Sequence, residues 1–263
     1  MVSLNRWVRH LAAITVMLMV GGCAASLPKT SKDFADVTQE MKVVAPMPTT
    51  FAVKEDAAFS SQEMTQLTHD IEREVDGAMG SLVRESQYKL SDFQFSDSAL
   101  AADAELRTAI FEQHQAMADV FAKLARSKSS TIDIPYTASL DLIADRTGSD
   151  HLLFVTGQGT FQSTGAAVKE GVLAGVSLLM GGSPSMSDPY HTSLAAMLVD
   201  ANRGKVVWYN QVSLVHDPRR PSELMITSQA LTKPLLGKSK LTPDKSRDNV
   251  IIDKYHHKTT AKK

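Results

Sequence analysis

Side chains able to do covalent or acid–base chemistry are sparse in this 263-residue chain, and their spacing says more than their number. Cys23, in MLMVGGCAAS (17–26), is the only cysteine and so the one thiol nucleophile. His69, His114, His151, His191 and His216 stand far apart, with no HExxH or other short ligand spacing. GQGTFQ (157–162) begins like a dinucleotide loop, but Gln162 stands where the third glycine would let a helix close on a pyrophosphate. No glycine loop runs into Lys-Ser/Thr, which removes a P-loop. Ser163, in FQSTG, lacks the glycine two positions earlier that a nucleophile elbow needs. His114 falls between Ile110 and Met117 on the apolar side of an expected helix, the place of a core-boundary histidine with a hydrogen-bond partner. The adjacent His256 and His257 lie in a basic tail, where a structural metal site is not expected. The expectation is a protein with no catalytic residues, no cofactor and no metal.

The residues around Cys23 assign it a different chemistry. Arg6 and Arg9 precede an apolar stretch from Leu11 to Val20, then the small Gly21 and Gly22, as in a secretory leader. That stretch is half the roughly 20 residues a membrane-spanning helix needs. The junction Val20-Gly21-Gly22-Cys23 resembles the lipobox of bacterial lipoproteins. In that family the matching thiol is diacylated through a thioether, the leader is cut, and the new N-terminus is acylated, with small residues letting the peptidase close on the backbone. Several acyl chains make a stable anchor where one would be marginal. Ala24, where an Asp would change sorting, implies by the same resemblance an outer-membrane protein with its domain in the periplasm.

A lone cysteine permits no intramolecular disulfide, so the fold must rest on an apolar core, and 43% apolar residues can build one. The net charge of −1, or −3 once Arg6 and Arg9 leave with the leader, does not point to nucleic acid. Composition divides the chain into a leader (1–22), a lipidated N-terminus with a flexible tether (23–40), one globular domain (41–237) and a basic, disordered tail (238–263).

Within the domain, KVVAPMPTTFAV (42–53) reads as an edge or bulged strand broken by Pro46 and Pro48. Ser60 and Glu63 form a capping box ahead of Met64, Leu67, Ile71, Val75, Met79 and Leu82, an amphipathic helix. A short strand is expected in QYKLSDFQF (87–95). A second long helix carries Leu106, Ile110, Met117, Phe121 and Leu124, and a smaller one at Leu140–Arg146 stops at Gly148. HLLFVTGQGTF (151–161), SLAAMLVD (193–200) and KVVWYNQVSLV (205–215) read as strands, the last two joined by a hairpin turn through Gly204, before a helix near Ser222–Leu236. The fold class is α/β, with α+β as the alternative: a single domain whose mixed sheet ends in a hairpin and is covered by long amphipathic helices.

Asp150, Leu152, Leu153, Asp200, Gly204, Val206 and Trp208 carry a resemblance to envelope lipoproteins of the curli-secretion (CsgG-type) and TolB N-terminal-like group. The chain also resembles uncharacterised proteobacterial lipoproteins with the pattern SaGR…VDLrTG-vvWfN, from which it departs at Ala166 and at Asn202-Arg203. The motifs describe a sheet and a turn, not a catalyst.

Two segments remain. In GAAVKEGVLAGVSLLMGG (165–182), Ala167, Gly171 and Gly175 recur every four residues, a strip without bulk if helical. It reads as a buried crossover, with an oligomer or partner interface and membrane insertion as alternatives. From Lys233 onward, nine Lys/Arg stand against three Asp, a solubilising end or an electrostatic contact for an anionic envelope surface or acidic partner. The functional expectation is a non-catalytic outer-membrane lipoprotein, held to the membrane by its N-terminal lipid, acting as accessory or scaffold of an envelope assembly or transport system. A homo-oligomeric ring or export-channel subunit is the alternative, and an unrecognised hydrolase stands third.

Overall fold

The structure is a computed structural model and describes residues 27–54, 59–136, 140–161 and 190–256. In chain order its elements are β1 (Lys29–Ser31), α1 (Phe34–Glu40), β2 (Val43–Pro46), β3 (Thr50–Val53), α2 (Ser61–Glu85), β4 (Lys89–Leu90), α3 (Asp97–Ala102), α4 (Ala104–Arg126), β5 (Thr131–Ile132), α5 (Asp141–Thr147), β6 (His151–Phe161), β7 (Tyr190–Asp200), β8 (Lys205–Leu214), α6 (Pro221–Leu236) and α7 (Asp248–His256). The strands form one mixed sheet in the order β4-β2-β6-β7-β8-β1-β5, with β3 also beside β6. This is the expected α/β domain.

Alternation along the long strands splits the core into two layers. Leu153, Val155, Leu194, Ala196 and Leu198 meet Leu67, Ile71, Val75 and Met79 of α2, together with Leu224 and Leu231 of α6. Leu152, Phe154, Ala195, Met197 and Val199 meet Leu106, Ile110, Met117, Phe121 and Leu124 of α4. Both long helices are placed by their apolar stripes, and α2 starts at the expected box: Ser60 Oγ accepts from Glu63 N–H at 3.3 Å and Ser60 N–H donates to Glu63 Oε2 at 2.9 Å. Gly148 and Gly204 both adopt positive φ, +61° and +57°, as the helix stop and the hairpin turn require.

The expected bulge is present, between β2, which β4 covers on its outer side, and the edge strand β3. β2 and β3 both run parallel to β6, but Pro46 faces Leu153 and Thr50 faces Thr156, so the three residues between β2 and β3 oppose two on β6. A second bulge lies between Leu198 and Val199, which pair with Trp208 and Val206 and leave Val207 over.

Two expectations need correction. A flexible tether is expected through residue 40, yet β1 pairs with β8 and β5, and α1 buries Val37 completely. Long-range charge pairing holds this segment: Lys205 bonds Asp33, pulling its carboxyl down to about 2, and Arg203 reaches Glu40 at 2.7 Å. The tail was drawn as disordered from 238, yet Ile251 and Tyr255 of α7 join the core layer under α2. Tyr255 OH donates to buried Asp70 at 2.8 Å, and Arg247 reaches Glu74 at 2.6 Å. The short strand expected in 87–95 is the two-residue β4, and the helix α3 follows it.

Candidate functional site

The bulge between β2 and β3 borders a groove beside α2. Pro46-Met47-Pro48 takes the backbone out of register with β6, leaving N–H groups that the sheet does not use. Helix α2 supplies their partners from successive turns: Asp76 Oδ1 accepts from Thr49 N–H and Glu72 Oε1 from Phe51 N–H, both at 2.9 Å. Burial pushes both carboxyls up, Asp76 to about 6, against the lowering effect of those same hydrogen bonds. One turn further, Gly77 and Gly80 leave the helix surface bare, and a Cβ at Gly77 would meet nothing within 4 Å. A groove of about 300 Å³ results, with Met47 and Pro48 on one side and Phe93 and Phe95, 5.1 Å apart edge to face, on the other. Arg73 and Arg84 stand at its rim, and Arg84 also borders an adjoining pocket of about 370 Å³ with Tyr88 and Asp92. Arg73 bonds Asp70, whereas Arg84 has no ion pair among the described residues. The groove offers apolar contact and guanidinium charge, which suits binding; its one carboxylate is committed to Thr49.

His114 is where its spacing places it, on the inner side of α4. Its ring bonds the Pro48 carbonyl, while Nε2 is buried without a partner and burial lowers its pKa. Beside it lies a pocket of about 240 Å³ lined by Thr50, Phe51, Met117, Phe121 and Thr156. The GQG run is a length of β6, not a loop. A Cβ at Gly157 would come within 2.4 Å of the Phe51 ring and one at Gly159 within 2.7 Å of Pro218, so both glycines serve close packing.

One constellation escaped sequence reasoning. His191 Nε2 lies 2.7 Å from Ser213 Oγ and 3.0 Å from Ser193 Oγ. The three meet only because the bulge at Val207 puts Ser193 opposite Ser213; counted from the turn without it, Ser193 would face Val212. Ser193 sits on a strand paired on both sides, with Gln158 of β6 and Ser213 of β8, so its neighbouring N–H groups are spent in the ladder and are not free to stabilise an oxyanion.

Cys23, Ala167, Gly171 and Gly175, the residues singled out for lipidation and for an interface, lie outside the described residues, as do Ser163 and His257. No group of three or more His, Cys, Asp or Glu able to hold a metal occurs among the described residues. No helix among them is long and apolar enough to cross a membrane.

No protein-family model matches the chain, and no curated protein matches it. Among solved structures it is similar to the PelC dodecamer from Paraburkholderia phytofirmans, at 12% identity and a TM-score of 0.33, covering 75% of this chain and 90% of that one. It is also similar to lipoprotein GNA1162 from Neisseria meningitidis, at 11% identity and 0.29, covering 66% and 81%. A third likeness is the LpoB C-terminal domain from Salmonella enterica, at 11% and 0.26, covering 70% and 95%. No curli-secretion or TolB-type structure is among these likenesses, and at such TM-scores none decides fold or function.

Proposed function

We propose that this chain is a lipid-anchored, non-catalytic accessory protein of the bacterial envelope, holding its α/β domain at the outer membrane as a docking body for an assembly or transport system. The observation that carries the reading is the lipobox-like junction at Cys23 followed, six residues later, by the first strand of the sheet. An anchor joined to a folded domain with so little spacer serves to hold that domain at a membrane. The arginine-rimmed groove beside α2 supports a binding role.

Crosslinking in intact envelopes, followed by identification of captured proteins, tests it. The parent should recover a defined envelope partner, and Cys23→Ser should leave the membrane fraction, lose a metabolic palmitate-analogue label and lose that partner. Equal labelling of parent and variant would sink the anchor. A hydrolytic activity abolished by His191→Ala or Ser213→Ala would replace the accessory reading with the hydrolase.

A second reading, a subunit of a self-assembling ring or export channel, is favoured by the run Gly171–Met180 between β6 and β7, which holds no charged residue and Ser177 as its one polar side chain. Native mass measurement of the delipidated protein separates the two. Under the accessory reading Gly171→Leu with Gly175→Leu destabilises the monomer; under the ring reading the monomer melts normally and the assembled species disappears.

A further inference from the structure

Chain length limits how the domain can stand on its anchor. Lys29 pairs with Tyr209, Tyr209 with Met197 and Met197 with Phe154, so β1 begins level with the middle of the long strands. Because β1 is antiparallel to β8, the chain preceding it leads away from the Ala201–Gly204 turn, toward the end of β6 and the start of β7. Lys29 is six Cα–Cα steps from Cys23, a reach of about 20 Å when fully extended. A membrane holding acyl chains on Cys23 therefore lies within about that distance of Lys29, on the side of the molecule away from the turn.

That side concentrates positive charge in a chain whose net charge is −1. Lys29 donates to the carbonyls of Leu124 and Ser127 and Thr30 N–H bonds Ser130 O at 3.0 Å, which sets β1 against the last turn of α4 and the loop after it. That turn and loop carry Lys123, Arg126 and Lys128, all exposed and without an ion pair among the described residues. No Asp or Glu occurs in residues 27–32 or 120–132. Leu27, at the point of entry, is 83% exposed.

We infer that the surface around the start of β1 is membrane-facing, with Lys123, Arg126 and Lys128 lying among the phosphates of anionic lipid headgroups and Leu27 at the interface. The inference rests on the acylation of Cys23 proposed above. Anchor and charges then act together, the lipid setting distance and the cations setting which face is down.

Cys23 being the only cysteine, and blocked once acylated, a fluorophore can be placed at Ser130→Cys in the patch or at Asn202→Cys in the opposite turn. The acylated full-length mature protein is reconstituted into vesicles containing a headgroup-nitroxide lipid, in phosphatidylglycerol–phosphatidylcholine or in phosphatidylcholine alone. Quenching should be strong at position 130 and weak at 202 in the anionic vesicles, and should fall at high salt. K123E/R126E/K128E should abolish the difference while melting and co-floating like the parent, since each basic side chain at an anionic surface is worth about fivefold in partitioning. The neutral variant K123Q/R126Q/K128Q should fall between. Equal quenching at both positions, or indifference to charge reversal, overturns the inference. A mass without acyl groups overturns the anchor alone; binding of that protein to phosphatidylglycerol vesicles, and its loss in the reversed variant, then still decides the patch.

Discussion

Asp76 shows how one side chain can complete an edge strand and burden the fold at the same time. Its folded pKa, about 6, is raised above its unfolded value, so its contribution to stability is fully present below about pH 4 and is lost as pH rises through 6. Asp76→Asn keeps an acceptor for Thr49 N–H and removes the ionisation. The variant should therefore gain on the parent by about 1–3 kcal/mol between pH 4 and pH 7, read as the difference between their denaturant curves; parallel curves would show that Asp76 titrates normally. Two glycines make a sharper contrast. Gly157→Ala drives a Cβ to 2.4 Å from the Phe51 ring and should cost roughly 1–3 kcal/mol, whereas Gly77→Ala meets open space in a helix interior and should gain roughly 0.5–1 kcal/mol. Thermal melting of the pair checks both signs. The sequence presented the two positions alike, as glycines inside regular elements; only the neighbours from distant segments tell them apart.

At the scale of elements, the long helices and strands were legible because their signals are local. The i, i+3, i+4 stripe from Met64 to Leu82, the box at Ser60 and Glu63, and the positive φ demanded of Gly204 each depend on residues within one or two turns. Gly204→Val should accordingly cost about 1–2 kcal/mol or more, because a β-branched residue resists φ near +57° at a turn whose carbonyl also accepts from Tyr136 N–H at 2.8 Å. Trp208, fully buried, should report the earlier unfolding as an emission shift at lower denaturant. The short elements were not legible. α7 has little periodicity of its own and is held by Asp70, whose carboxyl stays below its usual range although burial opposes it, through bonds from Lys254, Tyr255 and Arg73. Ending the chain after Gly237 should destabilise the domain by about 2 kcal/mol or more, since Ile251 and Tyr255 leave the core and Asp70 keeps only Arg73 as a partner. A parent-like melt would show that α7 adds nothing to the core.

For the whole molecule, the boundary drawn from composition at residue 41 becomes a test. A chain starting at Met41 should melt well below one starting at Leu27, by about 2 kcal/mol or more, because it discards β1, the buried Val37, and the Asp33 and Glu40 that pair with Lys205 and Arg203. Identical melts would make residues 27–40 a tether after all. The lone cysteine, the apolar stripes and the hairpin turn were determined by the sequence alone, because a count of residues needs no fold and the other two are interactions of a segment with solvent or with its own next turn. Strand order, the two bulges, the meeting of Ser193 with Ser213, the capping of the edge by Asp76 and Glu72, and the docking of residues 29–40 and 248–255 were decided by the tertiary structure. Each of these depends on register between segments far apart in the chain, and one extra residue, Val207 in β8, is enough to change which side chains meet.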